Sequence, residues 1–153
     1  MPLSLRVPIH SAFRNLFRGR AQPVDDAHAQ RLAVAQLLLE IARSDLNVAD
    51  AEMAAIRSHL ERAYALSRAE VDQLVATAAA RVEQTVSLHD TVKLINQALG
   101  PDDKARIIGA LWEVAYADGR LDAYEEALLR RLADLLYVPH SVFIREKLKS
   151  QPR

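Results

Sequence analysis

The feature that most limits what this chain can fold into is a repeat. Residues 37–64, LLLEIARSDLNVADAEMAAIRSHLERAY, lie without a gap over residues 110–137, ALWEVAYADGRLDAYEEALLRRLADLLY, at an offset of 73 residues. Leu38/Leu111, Glu40/Glu113, Ala42/Ala115, Asp45/Asp118, Glu52/Glu125, Ala54/Ala127, Arg57/Arg130 and Tyr64/Tyr137 are identical. Val34/Ile107, Ile41/Val114, Val48/Leu121 and Ile56/Leu129 are apolar in both copies. Each copy carries apolar residues at helical spacing, an aspartate-containing break and a second helical stripe. Two such copies predict two helical hairpins of one design, packed about a pseudo-two-fold axis with their apolar first helices crossing at the centre. Two copies at this spacing do not make a solenoid.

The rest of the chain agrees with helix. Half of the 153 residues are hydrophobic, and alanine and leucine, which lose little side-chain freedom in a helix, dominate over four glycines and few aromatics. Asp25 and Asp26 suit an N-cap before a helix with Val34, Leu37, Leu38 and Ile41 inward. A second helix is expected over 49–64, with Met53, Ile56 and Leu60 inward. SRAE at 67–70 has the spacing of a capping box and opens a third, to about Gln84. SLHD at 87–90 opens a short fourth, ending near Leu99. GPDD at 100–103 starts a fifth, where proline costs nothing because its missing N–H would be unpaired in a first turn. Ile107, Leu111 and Val114 face inward and Asp118-Gly119 ends the helix. Asp122 caps a sixth, Pro139 breaks it, and a last helix over 140–149 carries Val142, Phe143 and Leu148. The fold class is therefore all-α: a compact bundle of about seven helices built from two pseudo-symmetric hairpins over residues 25–149, preceded by an arm, 1–24.

The arm carries Arg6, Arg14, Arg18 and Arg20 and no acid, which leaves 16 basic and 20 acidic side chains on a mildly acidic body. That balance argues against nucleic acid as a partner. Ile9, Phe13, Leu16 and Phe17 share one helical face, so the arm reads either as a segment that docks on its own body or as a helix touching an anionic membrane or a partner. No cysteine is present, which removes disulfides, thiolate metal sites and cysteine nucleophiles. No apolar run approaches the roughly 20 residues of a membrane span, and no secretory leader is apparent. A cytoplasmic protein is expected, with the inner membrane face as an option.

The repeated acids hold the chemistry. Glu52 and Glu125 precede the inward residues of their helices by three and four positions, so their carboxylates point toward the core side, where a carboxylate needs a partner. Asp118, Gly119, Leu121 and Glu125 read like the back half of a calcium loop. The front half is missing, because Val114 and Tyr116 stand where ligands would be, and Leu46 replaces the turn glycine in the first copy. One reading is helix capping alone, with Asp122 accepting N–H bonds and Glu125 reaching back to the Asp122 N–H. The others are a divalent cation, calcium, magnesium or another, held among Glu40, Asp45, Glu52, Glu113, Asp118, Asp122 and Glu125, or a protein partner docked on the acidic surface. The five histidines lack zinc-ligand spacing, and His59 and Trp112 read as core residues. No nucleophile elbow or glycine-rich phosphate loop accompanies the acids, so the chain reads as non-enzymatic, with a metal-assisted hydrolase as the remote alternative.

EVAYADGRLDAYEEALLRRLADLL, and less closely EIARSDLNVADAEMAAIRSHL, resembles the tellurite-resistance TerB-like family over residues 26–149. The resemblance implies a compact all-helical domain with pseudo-symmetric halves, an acidic cluster associated with metal, and a place in stress-response assemblies, some near the inner membrane face. Similar domains accompany co-chaperone J domains, but this chain has no HPD tripeptide. Carried over by position, the acids are Glu40, Asp45, Glu52, Glu113, Asp118 and Glu125. Together these readings give an interaction or scaffold module whose acidic loops take a divalent cation or a partner, with a membrane-peripheral adaptor as the rival.

Overall fold

A computed structural model describes residues 23–43, 50–84 and 88–152. Among these, seven helices and no strand are found: α1 Pro23–Ala42, α2 Asp50–Tyr64, α3 Arg68–Glu83, α4 Leu88–Ala98, α5 Pro101–Ala115, α6 Ala123–Leu135 and α7 His140–Ser150. The predicted all-helical bundle is what forms. Three ends differ from expectation. α6 stops at Leu135, ahead of the left-handed Tyr137, rather than being broken by Pro139, which instead caps α7. α1 begins at Pro23, which places Asp25 and Asp26 inside the first turn rather than at the cap, as suits a proline at the first helical position. α5 stops at Ala115, with Tyr116 as its C-cap, before the Asp118-Gly119 turn.

The core is organised around α1, which packs against α2, α3, α4, α5 and α6. Every residue from Leu32 to Leu39 is buried. The run is apolar on all sides, with Gln36 as its one polar member, and a helix with that pattern belongs at the centre of a bundle. α5 takes the matching place in the second half, against α1, α2, α6 and α7. Burial follows the repeat: Val34/Ile107, Ala35/Ile108, Leu37/Ala110, Leu38/Leu111, Leu39/Trp112, Ile41/Val114 and Ala42/Ala115 are buried in both copies. In the second helices, Ile56/Leu129 and Leu60/Ala133 do the same, and Asp50 and Ala123 open α2 and α6 at equivalent positions.

The repeated unit is larger than a hairpin. α3 packs on α1 and α2, and α7 packs on α5 and α6, so each half is a three-helix unit with α4 between the two. The turn into the third helix is also shared. Ala65 (φ 52°) and Tyr137 (φ 57°) both stand in the left-handed region, each followed by an N–H that reaches five residues back: Leu66 N–H to the Glu61 carbonyl at 3.3 Å and Val138 N–H to the Ala133 carbonyl at 2.9 Å. These are helix stops of the Schellman kind built without glycine, with apolar Leu66 and Val138 turned back onto the core. α3 then opens with the predicted capping box: Ser67 Oγ accepts from Glu70 N–H at 3.2 Å, and Glu70 Oε1 accepts from Ser67 N–H at 3.0 Å.

Between the halves, α4 packs along α1, and its Asn96 Nδ2 donates to the Leu135 carbonyl at the end of α6, 3.0 Å away. Trp112, fully buried as predicted, donates its indole N–H to the Phe143 carbonyl at 3.2 Å and packs its ring against Phe143, centroids 5.0 Å apart. The Glu146 carboxylate of α7 lies over Gly109 of α5, where an added Cβ would meet its Oε1 at 2.8 Å. Phe143 is the inward residue of α7 and Val142 is half-buried, whereas Leu148 is 62% exposed. Leu148 lies five residues after Phe143, more than a full helical turn further on and off the face that meets α5.

Candidate functional site: the acidic corner between α5 and α6

The segment between α5 and α6 is a compact turn with its own hydrogen bonds. Gly119 (φ 82°) takes the left-handed conformation and donates its N–H to the Tyr116 carbonyl at 2.9 Å. Asp118 Oδ1 accepts from Arg120 N–H at 3.0 Å, a side-chain-to-backbone turn. Leu121 is half-buried against the core and anchors the loop. Asp122 is the N-cap of α6, its Oδ1 accepting from Tyr124 N–H at 3.1 Å. The predicted capping by Asp122 is therefore present. Asp118 and Asp122 are both exposed, and among the described residues only Oδ1 of each takes a hydrogen bond.

The sequence-derived acids separate into two environments. Glu52 and Glu125, at equivalent places in the first turns of α2 and α6, are buried, with 1% and 2% of their surfaces exposed. The inward direction expected for both is observed. Glu113, by contrast, is exposed and accepts a 3.4 Å ion pair from Arg62 of α2. Its twin Glu40 is half-buried, and burial raises its carboxyl above the usual range, with Arg43 pulling the other way. The outer pair thus differs between the halves: the residue equivalent to Arg62 in the second copy is Leu135. Asp45 lies outside the described residues, so the first corner is seen only at Glu40 and Glu52. Among the described residues, no three His, Asp or Glu side chains gather as a metal-holding group.

Arg62 was not singled out from the sequence. It stands 51 residues from Glu113, and only the packing of α2 on α5 joins them. The same contact places His59 in a groove beside Arg62, Arg106 and Glu113. His59 is half-buried rather than fully in the core. Burial lowers its pKa below the usual 6.5, while the Glu113 carboxylate raises it and the Arg62 guanidinium lowers it further. The basic arm lies outside the described residues, and among those described no helix is long and apolar enough to cross a membrane.

Comparison with known proteins agrees with this architecture. No curated protein matches the chain. A crystal structure of a protein of unknown function from Porphyromonas gingivalis W83 is similar in fold, with a TM-score of 0.63 at 18% identity, over 80% of this chain and 94% of that one. The family model described as tellurite resistance protein TerB matches residues 31–148, which takes in almost all of α1 through α7 and the acidic corner. The chain belongs to the TerB family.

Proposed function

We propose that this chain is a non-enzymatic interaction module of a tellurite-resistance-like stress system, in which the α5–α6 corner presents carboxylates to a divalent cation or to a basic surface of a protein partner. The observation that carries this reading is the division of labour at the corner. One oxygen of Asp118 and one of Asp122 fix the loop, and both side chains remain exposed. Acids positioned in this way are pre-ordered, so a cation or a partner's lysines and arginines meet them at little further cost in entropy. Oxygen-only donors suit hard cations such as calcium and magnesium, and a site with solvent on one side binds them weakly.

Backbone amide shifts test it. Calcium, magnesium, manganese and zinc are titrated separately into the full chain, to millimolar concentration. Shifts that concentrate between Ala117 and Glu126, and that vanish in Asp118→Asn/Asp122→Asn, support cation binding. If no metal moves these amides, the cation half is dropped. The partner half then rests on co-purification with the untagged protein, compared with the same double variant. Equal recovery of every co-purifying protein by both would end it.

A further inference from the structure

A second site lies on the other side of α1, away from the acidic corner and independent of the reading above. α1, α3 and α4 enclose a half-open cavity of about 270 Å³. Its walls include Leu32 and Ala33 of α1 and Leu94 of α4, and they are mainly apolar. Gln36 lines it as well. Gln36 sits in the middle of the buried run of α1, is 95% buried, and its side chain makes no hydrogen bond with any described residue. Its carboxamide is not sealed from solvent, and it faces the cavity where a polar group of a ligand can reach it. At the edge of the same cavity stand Arg81, near the end of α3, and Asp90, in the first turn of α4. Both are exposed, and neither takes part in an ion pair among the described residues.

We propose that this cavity binds a free α-amino acid with a medium-sized apolar side chain. The chemistry follows from three facing requirements. Two unpaired charges of opposite sign match a zwitterion, with Arg81 toward its carboxylate and Asp90 toward its ammonium. A carboxamide serves both ends of that head group, Gln36 Nε2 donating to the carboxylate while Oε1 accepts from the ammonium. The apolar side chain then rests on Leu32, Ala33 and Leu94. Size agrees: at about 30 Å³ for each water-sized group, the cavity takes about nine non-hydrogen atoms, roughly the number in leucine, isoleucine, methionine or valine. It is small beside the roughly 300–1,000 Å³ of sites for drug-sized ligands.

The test uses the full-length, isotope-labelled chain and a panel of L-amino acids at concentrations up to 10 mM. Leucine, isoleucine, valine or methionine is expected to give saturable shifts at the Gln36 side-chain amide and the Leu32 and Leu94 methyls. N-acetyl-leucine, which lacks the ammonium, and leucinamide, which lacks the carboxylate, are expected to bind at least about tenfold more weakly, the scale of one lost hydrogen bond to a charged group. Arg81→Gln and Asp90→Asn alter exposed residues and leave the core intact, and each is expected to weaken leucine by a similar factor. Gln36→Leu removes the carboxamide with little change in volume and is expected to abolish the saturable shifts at the Leu32 and Leu94 methyls. If no amino acid produces saturable shifts at 10 mM, or if leucinamide and N-acetyl-leucine bind as well as leucine, the proposal is overturned and the cavity holds water alone.

Discussion

Ala54→Gly and Ala65→Gly remove the same methyl group, one from within α2 and the other from the residue that follows it, and they are expected to move stability in opposite directions. Ala54 is exposed and helical. Glycine there loses about 1 kcal/mol, because the unfolded chain gains freedom that the helix must remove again. Ala65 is also exposed, but its φ of 52° forces its Cβ toward the following carbonyl. An L-residue in that region costs about 1–2 kcal/mol, and glycine does not bear it. Glycine still adds about 0.5–1 kcal/mol of unfolded-state entropy, so the net gain for Ala65→Gly is about 0.5–1 kcal/mol, or about 1–4 °C in Tm for a chain of this size. Urea denaturation followed by helical circular dichroism reads both variants against the parent, with an unchanged m-value showing that the unfolded reference is the same. Equal destabilisation by the two would refute the argument, since it would mean that residue 65 does not occupy the left-handed stop.

Trp112→Phe removes the 3.2 Å indole bond to the Phe143 carbonyl and leaves a gap between α5 and α7; a loss of about 1–3 kcal/mol is expected in the same denaturation, read by circular dichroism because Trp112 is the chain's single tryptophan. Burial lowers the folded-state pKa of His59, so between that depressed value and the ordinary 6.5 the unfolded chain binds the proton better than the fold, and stability falls as pH drops through 6.5. His59→Gln is expected to give a smaller difference in urea midpoint between pH 7.5 and pH 5.5 than the parent; an unchanged difference would remove His59 as its source. Glu70 has the opposite cause, since the Ser67 backbone and side-chain hydrogen bonds lower its carboxyl, and that contribution is present above the ordinary value of 4.5 and lost as pH falls through the depressed one. Glu70→Gln is therefore expected to flatten the acid limb of the stability curve below pH 4.5, and a limb of unchanged slope would contradict the assignment. For the basic arm, flotation with anionic liposomes compares the full chain with residues 25–153; equal, negligible flotation of both would end the membrane-adaptor reading.

The helices were legible because their signals are local. Apolar residues three and four apart, the Ser67–Glu70 box, Pro101 and Asp122 each mark an element or its end with residues a few positions apart. The inward aim of Glu52 and Glu125 was legible for the same reason, since helical geometry fixes their direction once the neighbouring apolar positions are known. What depends on contacts across the bundle was not. The exposure of Leu148 depends on which face of α7 meets α5. The Arg62–Glu113 pair depends on how α2 crosses α5. The shared left-handed stops at Ala65 and Tyr137 carry no glycine to announce them, and they lie 72 rather than 73 residues apart, so the repeat slips by one residue before the third helix of each unit. Gln36 did leave a trace, as the one polar residue in an otherwise apolar run, but its meaning needed the cavity.

The enclosure of α1 has a further consequence for how the molecule comes apart. The middle of α1, packed against five neighbouring helices, does not open by itself: its amides become accessible only when those neighbours move away. Deuterium uptake in the middle of α1 should therefore be as slow as complete unfolding, and the two related halves, though alike in plan, should melt as one body rather than in turn.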